Sequence, residues 1–239
     1  FVYAAMGKAN ERINRALKKL AEHYNKKWDI WPVTNNSHLS LFYGRTKYRK
    51  QLLDITHDKV RLEELFDMSQ AHRGNYMFNQ YPSFEEFYHF YERIVNYSKT
   101  SGAYMLADEN GKMKAACVAV NWGDYFSFML DNPKGIFKVL ASLKLTDKLL
   151  FTWMTVGDQE TVDKLYRGIA QKYYKEQDVK LGLYNSYAGD PFIKIKSSII
   201  NDPFNYFVIY DRPELYEQFK ETSKDKDGNV RIFIDTPIF

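Results

Sequence analysis

The sequence predicts an α/β protein in which helices flank a mixed β-sheet. The first observation is the segment 149–187, which has the order strand, helix, strand: LLFTWMTVG, DQETVDKLYRGIAQKYYKEQ and VKLGLYNSY. The second is the segment 103–122, AYMLADENGKMKAACVAVNW, whose apolar arms and central Asn-Gly predict a hairpin with a type I′ turn. The third is the recurrence of apolar residues at helical spacing in several other segments.

Composition excludes several classes of function. A length of 239 residues allows one large domain, or one domain with part of another. The net charge of +4 comes from scattered basic residues, which argues against a nucleic-acid partner. Cys117, the single cysteine, lies in the apolar run AACVAV, so we expect a buried thiol in a cytoplasmic protein. No apolar segment approaches the roughly 20 residues that span a bilayer, so no membrane partner is expected.

The first part of the chain predicts a helix over residues 8–25. Its apolar face would comprise Ile13, Ala16, Leu17, Leu20, Ala21 and Tyr24. A short strand, WDIWPV, is predicted to stop at Pro32 and at a turn over residues 35–37. The next stretch, HLSLFYGRTKYRKQLLDI, predicts two strands or one bent strand.

This order suggests that residues 1–45 form a separate segment beside a main domain, 46–239. Residues 1–45 are either the remnant of a preceding unit or a decoration on the main domain. The chain starts at Phe1 instead of methionine, so we expect that something precedes it.

The main domain begins with a strand, QLLDIT, and a helix over residues 59–70. A long loop, SQAHRGNYMFNQYP, leads to a second helix, whose start is marked by the capping-box residues Ser83 and Glu86. The hairpin, a helix in GIFKVLASLKL and the strand–helix–strand unit follow. The remaining predictions are a helical or extended FIKIKSSII, a strand NYFVIYD, a helix PELYEQFKETS and a final strand VRIFIDTPIF.

The order of elements over residues 51–210 resembles the GNAT superfamily, the acyl-CoA-dependent N-acyltransferases. GAYMLADENGKMKAACVAVNW resembles the second and third strands of that fold, LLFTWMTVG the fourth and VKLGLYNSY the fifth. The resemblance implies a mainly antiparallel central sheet. It also implies transfer of an acyl group from acetyl-CoA, or another acyl-CoA, to a small amine or amino-acid-like acceptor.

The resemblance also implies where the cofactor lies. In that fold the fourth and fifth strands splay apart around the pantetheine arm, and the pyrophosphate meets N–H groups at the start of the next helix. The matching positions are Met154, Val156, Gly157, Asp158, Gln159 and Thr161. Most members have a loop rich in glycine there, whereas this turn has one glycine and no basic residue.

The acidic residues of this turn leave two interpretations open. Asp158 and Glu160 complement the dipole of the helix, but each would repel a pyrophosphate by about 1 kcal/mol. The alternative to an enzyme is therefore a catalytically inactive GNAT-like domain with a binding or structural role. A second candidate phosphate site is the segment FVYAAMGKAN, which precedes Arg12 and Arg15. If phosphate binds there, residues 1–45 would belong to a first GNAT-like unit and the chain would be a tandem of two such units. An ordinary helix start explains the same residues.

Acyl transfer to an amine needs a base and an acid. The resemblance implies that Tyr187, at the end of the fifth strand, is the acid, although it and Tyr184 could simply be packing aromatics. The acceptor would enter at the loop 69–76, with His72 as base and Arg73 and Tyr76 binding the acceptor; ordinary loop solvation is the alternative. No metal-ligand spacing appears. A homo-oligomer is compatible with the sequence.

Overall fold

The computed structural model describes residues 2–7, 11–42, 51–73, 81–125, 134–145, 147–186, 198–222 and 224; for residues 2–7, 31–37, 72, 73, 137, 186 and 198–207 only the backbone is described. The elements follow in the order β1 (Val2–Gly7), α1 (Glu11–His23), β2 (Lys27–Leu41), β3 (Leu53–Asp54), α2 (Lys59–Arg73), α3 (Phe84–Tyr97), β4 (Gly102–Ala107), β5 (Met113–Asn121), α4 (Ile136–Ser142), β6 (Leu149–Gly157), α5 (Gln159–Glu176), β7 (Leu181–Ser186), β8 (Ser198–Tyr210) and α6 (Pro213–Thr222). Within these ranges, no helix has the length and apolar character needed to cross a membrane.

The strands form one eight-stranded sheet in the order β1-β8-β2-β7-β6-β5-β4-β3. β6 and β7 are parallel, as a strand–helix–strand connection requires, and the other neighbouring strands are antiparallel. The predicted fold class, a mixed and mainly antiparallel sheet flanked by helices, is therefore confirmed.

Both faces of the central strands are covered by helices. Alternate residues of β5 from Ala116 to Val120 join a core with side chains of α2 and α3. The residues between them, from Ala115 to Ala119, join a second core with side chains of α5. Successive strand residues point to opposite faces, so a strand covered on both sides is apolar throughout. Cys117 belongs to the α5 side and is buried, as predicted.

The longest strand, β2, differs from the prediction of a strand stopped at Pro32. It continues through Pro32 and through the predicted turn at residues 35–37, so that turn is wrong. The register between β2 and β8 shifts between Trp31 and Asn35. Proline has no N–H to donate, and an irregularity of this kind accommodates it within a sheet.

β2 lies between β7 and β8 and pairs with both. The segment before residue 45 therefore supplies a strand to the interior of the sheet. Its origin in a preceding unit, and the domain boundary at residues 45 and 46, stay predictions.

The loop of the β4–β5 hairpin also differs from its prediction. Gly111 has φ of +76°, but Asn110 does not have positive φ, so the type I′ turn is wrong. The Asp108 carboxylate accepts hydrogen bonds from the N–H groups of Asn110 (3.0 Å) and Lys112 (2.9 Å). Asp108 N–H donates to the Lys112 carbonyl at 2.9 Å, so a side chain organises a wider loop than the two-residue turn.

The remaining helices begin and end close to their predicted positions, with one extension. Ser83 caps α3 as predicted, accepting from Glu86 N–H at 3.3 Å. α2 extends to Arg73, so the predicted loop at residue 69 is helical for its first five residues. Ser198 to Ile200 of FIKIKSSII open β8, while its earlier residues and the segment VRIFIDTPIF lie outside the described residues.

Candidate functional site

The parallel strands β6 and β7 separate before they end. Their last paired residues are Thr152 and Tyr184, although β6 continues to Gly157 and β7 to Ser186. The Thr152 hydroxyl donates to the Leu183 carbonyl at 3.4 Å, at the point where the pair ends. Beyond Thr152 and Tyr184, no further pairing joins β6 to β7 among the described residues. The two strand ends therefore diverge and frame an opening between β6 and β7.

Backbone strain lies at the mouth of this opening. Met154 has φ of +50°, a conformation that side chains other than glycine rarely adopt. The register between β5 and β6 shifts here, because Ala116 pairs with Val156 and Val118 with Trp153. Met154 and Thr155 thus form a β-bulge. Strain of this kind costs about 1–3 kcal/mol and is concentrated at functional sites.

Two buried polar atoms that have no hydrogen-bond partner in the described part of the chain flank the strained residue. They are the indole Nε1 of Trp153 and the hydroxyl of Thr155, and both side chains are buried. Trp153 is enclosed by the rings of Tyr81, Phe87 and Phe90, with centroids 5.6–5.7 Å from its own. An unsatisfied buried polar group costs about 1–3 kcal/mol, so two such groups beside a strained residue mark this position as unusual.

β6 ends at Gly157, where close packing against β5 requires a glycine. Its φ is +128°, which glycine adopts without strain. A Cβ at this position would lie 2.6 Å from both the Cβ of Ala115 and the carbonyl oxygen of Lys114. The glycine lets β6 approach β5 closely before the chain turns into α5. The fold therefore requires this glycine whether or not a phosphate binds.

The first turn of α5 is capped by its own carboxylate. Asp158 is the N-cap residue, and its side chain accepts from Thr161 N–H at 2.9 Å and from the Thr161 hydroxyl at 2.6 Å. These hydrogen bonds hold the pKa of Asp158 below its ordinary value, so the group is charged at neutral pH. Glu160 is ion-paired with Lys164 at 2.5 Å. The N–H group of Thr161 is therefore already hydrogen-bonded to a carboxylate of the protein itself.

The six predicted cofactor residues lie together, from Met154 in β6 to Thr161 in the first turn of α5. Val156 is fully buried. The binding role of the six residues stays a prediction. The Asp158 carboxylate opposes a pyrophosphate at the turn.

The predicted catalytic residues are only partly described. His72 and Arg73 form the end of α2, but their side chains lie outside the described residues, as do Tyr76 and Tyr187 entirely. Tyr184 is buried and its ring stacks on that of His38, with centroids 5.8 Å apart. This contact agrees with the interpretation of Tyr184 as a packing aromatic. The N-terminal candidate phosphate site keeps its order of strand and helix, but residues 8–10 lie outside the described part.

Sequence reasoning missed the bulge and its two buried donors. The sequence LLFTWMTVG contains no proline, and its only glycine is at the end, so nothing in it marks Met154 as irregular. Nor do polar and apolar residues alternate in a way that would reveal an extra residue, because both faces of β6 are buried.

Comparisons with known proteins show the fold. No protein-family model and no curated protein matches the chain. The crystal structures of Saccharomyces cerevisiae N-myristoyltransferase with bound myristoyl-CoA and inhibitors match 95% of this chain and 64% of that chain, with a TM-score of 0.50 and 11% identity. A GCN5-related N-acetyltransferase from Anabaena variabilis matches 85% of this chain and 45% of its own, with a TM-score of 0.42 and 8% identity.

This chain therefore spans less than two thirds of the length of either protein. Taken with the order of the strands and the divergence of β6 from β7, the likeness to the first shows that the chain has a GNAT-like fold.

Proposed function

We propose that the chain is an acyl-CoA-dependent N-acyltransferase and that acyl transfer takes place in the opening between β6 and β7. The observation that carries this proposal is the coincidence of three features within Trp153–Thr155. The parallel pair ends there, Met154 is strained, and two buried donors lack partners among the residues that the structure describes. A bound thioester with its amide-containing arm would supply an acceptor to the Thr155 hydroxyl and would add to the strand pair as an extended segment.

The chain would assist each part of the reaction with a different group. The nitrogen of the acceptor attacks the carbonyl carbon of the thioester, and the carbon–sulfur bond breaks. Backbone N–H groups at the bulge would stabilise the negative charge on the carbonyl oxygen. His72 would take the proton from the amine, and Tyr187 would protonate the leaving thiolate.

The proposal also specifies the acyl donor, the acceptor and the cellular location of the protein. We infer a small amine or amino-acid-like acceptor, bound by Arg73 and Tyr76, and acetyl-CoA as the first donor to test. The presence of myristoyl-CoA in the N-myristoyltransferase structures supports acyl-CoA binding by this fold in general, without fixing the chain length. The buried Cys117 supports a cytoplasmic location.

The binding test compares the thermal stability of the protein with and without acetyl-CoA, and separately with myristoyl-CoA. A ligand present at ten times its Kd should stabilise the protein by about 1.4 kcal/mol. Release of free CoA in the presence of a panel of small amines then tests the reaction. If neither acyl-CoA changes the melting temperature, the proposal is wrong.

A substitution at Thr155 sharpens this test. Thr155→Val removes an unsatisfied buried hydroxyl and keeps the shape of the side chain, so the ligand-free protein should gain up to about 1 kcal/mol of stability. The same change should weaken acyl-CoA binding about fivefold, because the ligand loses a donor. Thr152→Val is the matched control for stability: its hydroxyl is bonded to Leu183, so its loss should destabilise the protein. A Thr155→Val protein that binds acyl-CoA as tightly as the wild type would contradict the assigned position.

One observation favours the alternative of an inactive GNAT-like domain with a binding or structural role. The Asp158 carboxylate occupies the helix start at which a pyrophosphate would bind. Asp158→Ser keeps a capping side chain and removes the charge. If acyl-CoA binds the Asp158→Ser variant but not the wild type, the alternative is correct; if both bind it, the enzyme proposal stands.

A further inference from the structure

A polar cavity of about 270 Å³ lies at the far end of α5 from the candidate site. It is open to solvent and is lined by β3 and the residues after it, by the start of β4 and the residues before it, and by the last turns of α5. α5 has 18 residues and is therefore about 27 Å long, so the cavity is well separated from the Asp158 turn. None of the residues discussed above as catalytic or cofactor-binding lines it.

The floor of the cavity presents hydrogen-bond acceptors. The Tyr173 hydroxyl donates to the Thr100 carbonyl at 2.6 Å, which uses its only proton. Tyr104, whose hydroxyl lies 3.4 Å from that of Tyr173, must then be the donor between them, and its oxygen keeps its lone pairs for another group. Burial, together with the nearby carboxylates of Asp54 and Glu176, raises the pKa of Tyr104, so the phenol stays neutral.

Asp54 adds a charged acceptor beside these phenols. One of its oxygens, Oδ1, accepts from the N–H (3.0 Å) and the hydroxyl (2.6 Å) of Thr56. The other oxygen has no hydrogen bond to any described residue. A carboxylate oxygen and a phenol oxygen that line the same cavity suit an ammonium group, which has three donors and no acceptor. The C-terminal end of α5 carries partial negative charge and favours a cation at the same place.

The rim of the cavity presents hydrogen-bond donors, one of them the charged Lys99 side chain. Lys99 and His57 line it, and neither forms an ion pair with a described residue. The third basic residue, Lys172, is bound to Glu176 at 2.8 Å and lies 5.6 Å from the centre of the Tyr104 ring. Lys99 and His57 therefore suit a carboxylate.

The two lysines and two carboxylates that line the cavity balance in charge. A ligand with a single charge would meet repulsion as well as attraction, whereas a dipolar ligand satisfies both poles. The volume lies just below the usual range for small-molecule sites, which limits the ligand to a small one. We propose that this cavity binds a free α-amino acid, with its ammonium group on Asp54 and Tyr104 and its carboxylate on Lys99 and His57. This site is separate from the acyltransferase opening and does not depend on the function proposed for it.

The test measures the melting temperature of the full chain with each of the twenty L-amino acids in turn. An amino acid at ten times its Kd should raise the melting temperature by about 3–6 °C. The N-acetyl derivative of the best ligand lacks the ammonium charge and its methyl ester lacks the carboxylate, so each should bind at least tenfold more weakly than the parent. If no amino acid raises the melting temperature, or if both derivatives bind as well as the parent, the proposal is overturned.

Two substitutions locate the binding. Asp54→Asn keeps an acceptor for Thr56 but loses the charge, and Lys99→Ala removes the exposed cation; each should weaken binding of the parent amino acid at least tenfold. Lys138→Ala, an exposed lysine on α4, is the matched control and should leave the Kd unchanged. Unchanged affinity in both cavity variants would overturn the proposal and place the amino acid elsewhere, for example at the acceptor position beside β6. The melting temperatures of the ligand-free variants show that each is folded.

Discussion

Gly157 illustrates how one residue can suggest a binding loop while serving the fold. In the sequence it is the single glycine of a turn that resembles a phosphate-binding loop. In the structure its φ of +128° and its contact with Ala115 give it a structural role. A glycine between a strand and a helix therefore carries no information about phosphate until its backbone conformation and its neighbours are known.

We expect Gly157→Ala to be strongly destabilising. The new Cβ would meet Ala115 and the Lys114 carbonyl at 2.6 Å, in a backbone conformation that alanine resists. Strain and overpacking together should cost at least about 2 kcal/mol of unfolding free energy, measured by urea denaturation. Gly135→Ala is the control, because Gly135 also has positive φ, +55°, but has no atom within 4 Å of its added Cβ. Equal losses in the two variants would contradict the role of the Ala115 contact.

At the scale of the element, α5 shows how the helix start stabilises itself. Its N-cap is a carboxylate held by two hydrogen bonds from Thr161. A charged cap also interacts favourably with the helix dipole. Since the folded-state pKa of Asp158 is depressed, its contribution is fully present above the unfolded pKa of about 4. The contribution is lost as the pH falls further, through the folded-state pKa.

Asp158→Ala should therefore lower the unfolding free energy by about 1 kcal/mol at pH 7. The difference from the wild type should shrink as the pH falls below about 4, because the wild-type carboxyl becomes protonated. Urea denaturation at a series of pH values measures both effects. Glu160→Ala removes a carboxylate from the same turn but only an exposed ion pair with Lys164, so its effect should stay within about 0.5 kcal/mol. If the cost of Asp158→Ala does not change with pH, the cap does not act through its charge.

Elements with a strong local signal could be predicted from the sequence. The strands of the hairpin and of the unit β6–α5–β7 are marked by continuous apolar runs, and Ser83 begins α3 where its capping pattern indicates. The failures occur where tertiary contacts override local signals. Pro32 usually stops a strand, but β2 continues because β8 pairs with it around an irregularity. The type I′ turn was wrong because the Asp108 side chain, and not the backbone alone, organises the loop.

The candidate site was predictable only in outline. The resemblance placed it at the divergence of β6 and β7, where the structure has an opening. It could not indicate that Met154 is strained or that Trp153 and Thr155 carry unsatisfied donors, since these properties arise from the register between β5 and β6. Nor could the charges of the turn reveal that Asp158 is bound to Thr161.

At the scale of the whole molecule, β2 joins the first part of the chain to the last. It lies between β7 and β8, and its removal would expose the facing edges of both strands. Deletion of residues 1–45 should therefore abolish cooperative unfolding, because the sheet loses an internal strand and part of its core. Circular dichroism during thermal denaturation measures this directly. Residues 46–239 that melt cooperatively near the temperature of the full chain would instead support an independent domain starting at residue 46.

The position of β2 also affects how the chain folds during its synthesis. β2 ends at Leu41, whereas β7, the first of its two strand partners in the sequence, begins only at Leu181. Roughly 140 further residues must therefore be synthesised before β2 can pair. At about 5–20 residues per second, this delay is about 7–28 s. Contacts so distant in sequence also slow folding after release. The nascent chain must meanwhile keep an unpaired fifteen-residue strand from aggregating, which makes β2 the segment on which a chaperone is expected to act.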